Sequence, residues 1–204
     1  MSKRKDIFMI MMFLLIGGLL IGFTVYTVKK EFTKEEVTIK KLISLDLYGY
    51  TLSERDTELY KTNFKVLEGV LNENPVNYSD YAKSVSKLFI IDLFTLNNKL
   101  TSTDIGGLEF IHKDLKENFN ENMGATLYKN VVSNINGKRN QKLPEVASIE
   151  AEEPKEIKYK YGNKEYDGYE VNLNWEYVED LGYEKKLKVT MIKDSDKLYI
   201  VKGE

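Results

Sequence analysis

Hydrophobic and polar residues follow three successive regimes along this chain. From Ile7 to Val28, IFMIMMFLLIGGLLIGFTVYTV, no residue is charged. A helix of that length spans the ~30 Å hydrocarbon layer of a bilayer, and it lacks the polar face that a helix of a soluble core would show. The run is longer than the apolar core of a signal peptide, and no alanine precedes Ala82 to form a small-residue cleavage site. An uncleaved transmembrane helix is therefore predicted over 7–28. A charged, helix-compatible stalk follows at 29–37.

From residue 38 the pattern is that of a folded domain. TIKKLISLDLYGYTL favours an extended segment through its β-branched and aromatic residues. Leu59, Tyr60, Phe64, Leu67, Val70 and Leu71 then recur at three- and four-residue steps, predicting a helix from Ser53 that ends before Pro75. A second helix is predicted from Asn77 or Ser79 to about Leu100. The interval 104–134 reads as one or two more, with Leu108, Ile111, Leu115, Phe119, Met123, Leu127 and Val131 mostly four apart. Gly106, Gly107 and Gly124 mark breaks in it.

Beyond NGKRNQKLPE, a basic loop and its exit, the period becomes two. Ile157, Tyr159 and Tyr161 alternate with polar residues, as do Tyr169, Val171, Leu173, Trp175 and Tyr177, and then Leu187, Val189 and Met191. Gly162-Asn163, Asp180-Leu181-Gly182 and Asp194-Ser195-Asp196 supply the turns. Helices first and an antiparallel meander afterwards predict an α+β domain, with about three amphipathic helices packed on a curved sheet.

Charge refines the picture. Lys3, Arg4 and Lys5 make the 1–6 tail basic, which orients it to the cytoplasm and the domain at 38–204 to the outside of the cell membrane. Thirty basic residues against thirty-two acidic ones leave no basic excess for a nucleic acid. Gly18 and Gly22 form a GxxxG that would let two spans pack closely, so a homo-oligomer is one expectation.

Candidate chemistry is sparse. With no cysteine and a single histidine, neither a metal site nor a cofactor is predicted. Asp194-Ser195-Asp196 lacks the further oxygen ligands and the glycine of a calcium loop. No serine has nucleophile-elbow context, and no glycine-rich loop matches a phosphate-binding pattern.

Asp92 is the conspicuous residue, because it interrupts the apolar run KLFIIDLF on a helix that is apolar over most of its circumference. A carboxylate there needs partners or must become neutral. The structural expectation is a packing-fixing group paired with Arg55, a lysine or backbone donors, Arg55 being the scarcest cation. The functional alternative is a general base on the floor of a pocket. His112, beside Lys113 and Asp114, is expected at the surface or at a helix end. The aromatic residues are the other suggestive class. Tyr159, Tyr161, Tyr169, Trp175 and Tyr177 are candidates for a protein interface, or else they pack the sheet.

Three amphipathic helices followed by a curved antiparallel sheet resemble the cystatin-like fold of the nuclear-transport-factor-two superfamily. With one N-terminal span, the layout is similar to the periplasmic scaffold subunits of type IV secretion and to their Gram-positive conjugation counterparts. YGYTLSERDTELY and KLFIIDLFTLNNKL also resemble a group of membrane-anchored proteins of low-GC bacteria. The resemblance implies a non-catalytic extracytoplasmic domain that binds protein partners in an envelope complex. Because some enzymes of that fold use Asp and His, it also leaves open a ligand pocket or an enzyme built on Asp92.

Overall fold

The computed structural model describes residues 40–204, so the predicted span, the stalk and the Gly18/Gly22 pair lie outside the described residues. Among the described residues, no helix is long and apolar enough to cross a membrane. The domain is α+β, with three helices and a mostly antiparallel sheet.

The predicted extended segment folds back on itself. Strands β1 (Lys41–Leu45) and β2 (Tyr50–Ser53) form an antiparallel hairpin closed by a turn in which Gly49 takes φ +67°. Tyr50 and Leu52 are buried, whereas the outer side of β1 faces solvent. Helix α1 (Glu58–Leu71) starts five residues later than predicted, because Ser53 is consumed by β2 and donates its N–H to Asp56 (2.6 Å). The cap is Thr57, whose side chain accepts from the Tyr60 N–H. Its predicted apolar stripe buries Tyr60, Phe64, Leu67 and Val70.

Helix α2 (Tyr78–Phe94) is capped by Asn77 and forms the middle layer, between α1 and the sheet. It ends six residues before the predicted Leu100. Leu96 and Asn97 turn away to donate their N–H groups to the Pro144 carbonyl, at 2.9 and 3.2 Å. The Arg139 guanidinium, from the basic loop, holds the freed carbonyls of Asn97 (2.5 Å) and Lys99 (2.8 Å). The long helical pattern over 104–134 shrinks to a 3-10 turn (Lys113–Leu115) and helix α3 (Lys116–Ala125).

The sheet contains β3 (Val146–Ala151), β4 (Lys155–Tyr161), β5 (Lys164–Tyr177), β6 (Lys186–Asp194) and β7 (Lys197–Gly203). Strand β3 carries no clear alternation and was not predicted. The long β5 pairs with β3 through Leu173–Tyr177 and with β4 through Lys164–Glu170, so β3 and β4 lie end to end on one edge. β6 and β7 follow on the other side. On the inner face Val171, Leu173, Val189, Met191, Leu198 and Ile200 join the core beneath α2. Residues 110–112 extend the β7 edge by a parallel bridge: Ile200 donates to Phe110 O (2.8 Å), and His112 donates to Ile200 O (3.1 Å).

The sheet is strongly curved. Tyr161, from the β4–β5 tip at one edge, meets His112 at the opposite edge with 5.0 Å between ring centroids. Strands about 4.8 Å apart would keep these rings far apart in a flat sheet. Gly168 lets the β6 backbone approach closely: a Cβ there would stand 2.2 Å from the Met191 carbonyl oxygen.

Candidate functional site

Two concavities flank the C-terminal half of α2. One is a polar cleft of about 320 Å³ between the β1–β2 hairpin, the start of α1, the end of α2 and the 98–109 loop. Asp92 and Arg55 both line it, as expected of neighbours, yet they are not partners. Asp92 Oδ1 accepts from the Lys99 ammonium, and Oδ2 accepts from the Gly107 N–H at 2.6 Å. Arg55 instead donates to Asp104 (2.9 Å) and to the Asn98 carbonyl (3.2 Å). The early end of α2 explains the exchange, because the chain doubles back and delivers Lys99, 5% exposed, seven residues after Asp92. Gly106 makes room for this return: a Cβ there would lie 2.1 Å from the Asp92 carbonyl oxygen.

The other carboxylates of the cleft are similarly engaged. Burial pushes the Asp104 pKa up, but the Arg55 bond and the Leu100 N–H outweigh it, and the pKa falls below its ordinary value. Burial raises the pKa of Asp56 against the Ser53 N–H. Glu109 accepts from the Thr51 N–H and hydroxyl (both 3.1 Å) and from the Tyr60 hydroxyl (3.1 Å). Burial, followed by the charge of Asp92, pushes its pKa up to about 7. Sequence reasoning missed Glu109, although LEFI showed the same signal as Asp92, a carboxylate inside an apolar run. Its bonds bridge β2 and α1 to the returning loop, so the cleft is a brace between segments.

His112 stands at a helix end, one of its two expected places: it caps the 3-10 turn, its Nδ1 accepting from the Asp114 N–H at 3.4 Å, but it is not at the surface. It is 3% exposed, and its ring packs edgewise against Tyr161 and Tyr199 on the outer side of the sheet, away from the cleft lining. Its charged successors occupy the exposed 3-10 turn while the ring turns inward. Asp92 and His112 therefore form no acid/base pair. Among the described residues, no cluster of three His, Cys, Asp or Glu side chains is placed to hold a metal ion.

The aromatic candidates divide. Trp175 and Tyr177 are core residues, Trp175 tilted against Phe94 at 4.8 Å and Tyr177 donating its hydroxyl to the Glu184 carbonyl at 2.7 Å. Neither is free to form an interface, because the inner face on which they lie is covered by α2. Tyr159, Tyr161 and Tyr169 are half-buried. The alternate positions of β5, Asn172, Asn174 and Glu176, are exposed and polar.

The second concavity is an apolar groove of about 330 Å³ between α3 and the end of β7. Phe89, Leu93 and Phe94 of α2 form its floor, Phe119 and Met123 of α3 one wall, and Leu187 and Ile200 the other. No residue of α3 is fully buried, although Leu115, Phe119 and Met123 point their predicted stripe at the core. α3 thus covers the sheet edge incompletely and leaves carbon surface open. No protein family, curated protein or solved structure matches the chain.

Proposed function

We propose that the chain is a single-pass membrane protein whose C-terminal domain stands outside the cell membrane and binds a protein partner in an envelope complex, without catalysis. The observation that carries this reading is the α3–β7 groove. Apolar side chains from four elements converge there and find no cover within the described domain. An open apolar concavity gains free energy only when something fills it. The carboxylates of the cleft, by contrast, accept from donors of the domain itself, which suits a structural role better than proton transfer. The apolar run at 7–28 and the basic tail support the tether and its orientation. An assembly subunit of the secretion or conjugation type is the specific version, and it rests on the cystatin-like resemblance alone.

Two measurements test this. The chain has no cysteine, so Asn163→Cys, in an exposed turn, introduces a unique thiol. That thiol should react with a membrane-impermeant maleimide in intact cells; labelling only after lysis rules out the orientation. A photocrosslinking residue at Phe119 should trap a protein in native membranes where one at Ser53 does not, and equal yields would remove the groove from the account.

A second reading is supported by two buried atoms beside the cleft, Arg55 Nε and Asn98 Oδ1, which have no hydrogen-bond partner. A small polar ligand with one acceptor and one donor would satisfy both. Ligand-dependent thermal stabilisation that Asp92→Asn abolishes, with the fold retained, would favour this pocket over the groove.

A further inference from the structure

Resting on the reading of the α3–β7 groove as a docking surface, we propose that its occupant is the β1–β2 turn of a second copy of this chain, with Leu47 as the inserted side chain. Leu47 is 96% exposed at the tip of that turn, and Leu42, on the outer side of β1, is exposed as well.

A single exposed leucine is ordinary on a protein surface. This one differs in how firmly it is presented. The N–H groups of Tyr48 and Gly49 both donate to the Leu45 carbonyl (2.9 and 2.8 Å), and the Lys197 ammonium donates to the Tyr48 carbonyl. The Tyr48 ring also stacks on Tyr50 at 6.1 Å. A turn fixed from three sides loses little conformational freedom on docking, so the gain from burying Leu47 is kept.

Position excludes a contact within one molecule. Lys197, which holds the turn, is the first residue of β7, whereas the groove is lined by Val201, Lys202 and Gly203 at the other end. Along that strand Ile200, the first groove residue, is three residues and about 10 Å from Lys197, and Gly203 is six residues and about 20 Å away. Leu47, 96% exposed, does not enter the groove of its own molecule. The projecting leucine and the groove therefore meet only between copies, and the contact is heterologous. Asp46 precedes Leu47, and Lys202, which lines the groove and pairs with Glu204, is exposed enough to be shared with it. Copies held on one membrane, with Gly18 and Gly22 available for packing of the predicted spans, would meet at high effective concentration.

Disulfide trapping in the 204-residue, cysteine-free chain tests the proposal. Differently tagged chains carrying Leu47→Cys and Phe119→Cys, or Leu47→Cys and Met123→Cys, are co-expressed in membranes and oxidised mildly. A mixed-tag disulfide is expected for at least one groove position and not with Val66→Cys, an exposed site on α1. Equal trapping at Val66, or none in the groove, overturns the proposal. As a second arm, Leu47→Asp should abolish self-capture by the Phe119 photocrosslinker while leaving the melting temperature unchanged. If that crosslinker captures a different protein and never this chain, the inference fails while the proposed function stands. If it captures nothing, both fail.

Discussion

The polar cleft and the apolar groove are almost equal in volume and share the last turns of α2 as a wall, yet they are in opposite states. In the cleft, Asp92, Asp104 and Glu109 accept from residues of neighbouring segments, and Asp56 from the Ser53 N–H at the end of β2. Hydrogen-bonding groups can be satisfied by a few well-placed donors, so the carboxylates of the cleft need no ligand, and Arg55 Nε and Asn98 Oδ1 are the atoms beside them left without a partner. Carbon surface has no such remedy and is satisfied only by being covered. The comparison therefore shifts attention from the charged residues, which stand out in the sequence, to the half-covered face of α3, which does not.

The sharpest way to break this contrast is Asp92→Asn. It strips the buried Lys99 of its counter-charge and weakens the Gly107 bond, and a cost of about 3 kcal/mol is expected in urea denaturation. Unchanged stability would mean that the cleft is no brace.

Glu109→Gln probes the same cleft through pH. Folded Glu109 keeps its proton up to about pH 7, whereas unfolded it releases it near pH 4.5. The folded state thus binds the extra proton across that window. Its stabilising contribution is complete below the unfolded pKa and declines as pH rises, with up to about 3 kcal/mol gone by the time pH passes the folded pKa. Glu109→Gln should flatten that decline between pH 5 and 7 in thermal melts taken across the range. An unaltered slope would show that Glu109 does not hold the proton.

In the groove, Phe119→Ser should cost only about 1 kcal/mol, because the side chain is half-buried, while removing partner capture altogether. A loss of several kcal/mol would make α3 part of the core and close the groove as a docking surface. The smallest effect is expected from Leu47→Ser. Stability should stay within about 0.5 kcal/mol, read as an unchanged denaturation midpoint, with self-association in membranes lost.

Much of the architecture was legible beforehand. The stripes of α1 and the alternation through β5 and β6 identified their elements, because each period is set by one local geometry. The failures have local causes as well. Leu108 and Ile111 fit a helical period, but Ile111 is used to extend β7 in parallel, a pairing with a residue 89 positions away. β3 is short, and only its partner β5 gives it a register. Asp92 finds the lysine and the backbone donor that were among its expected partners, Lys99 and the Gly107 N–H, whereas Arg55, the cation singled out for it, pairs with Asp104. Glu109 carries the same signal as Asp92 and was passed over, and His112 does cap a helix end, but its burial comes from the Tyr161 and Tyr199 rings, which its charged neighbours do not announce.

The sequence by itself determined the helical and extended periods, the turns, the uncharged run at 7–28 and the need of Asp92 for a partner. Each of these follows from residues within a few positions of one another. Only the tertiary structure decided which cation meets Asp92, that Trp175 and Tyr177 lie inward, that Glu109 is buried beside Asp92, and that α3 leaves a groove open. The reason is physical: pairing, desolvation and coverage depend on atoms brought together from distant segments, and the path of the chain between them sets those distances.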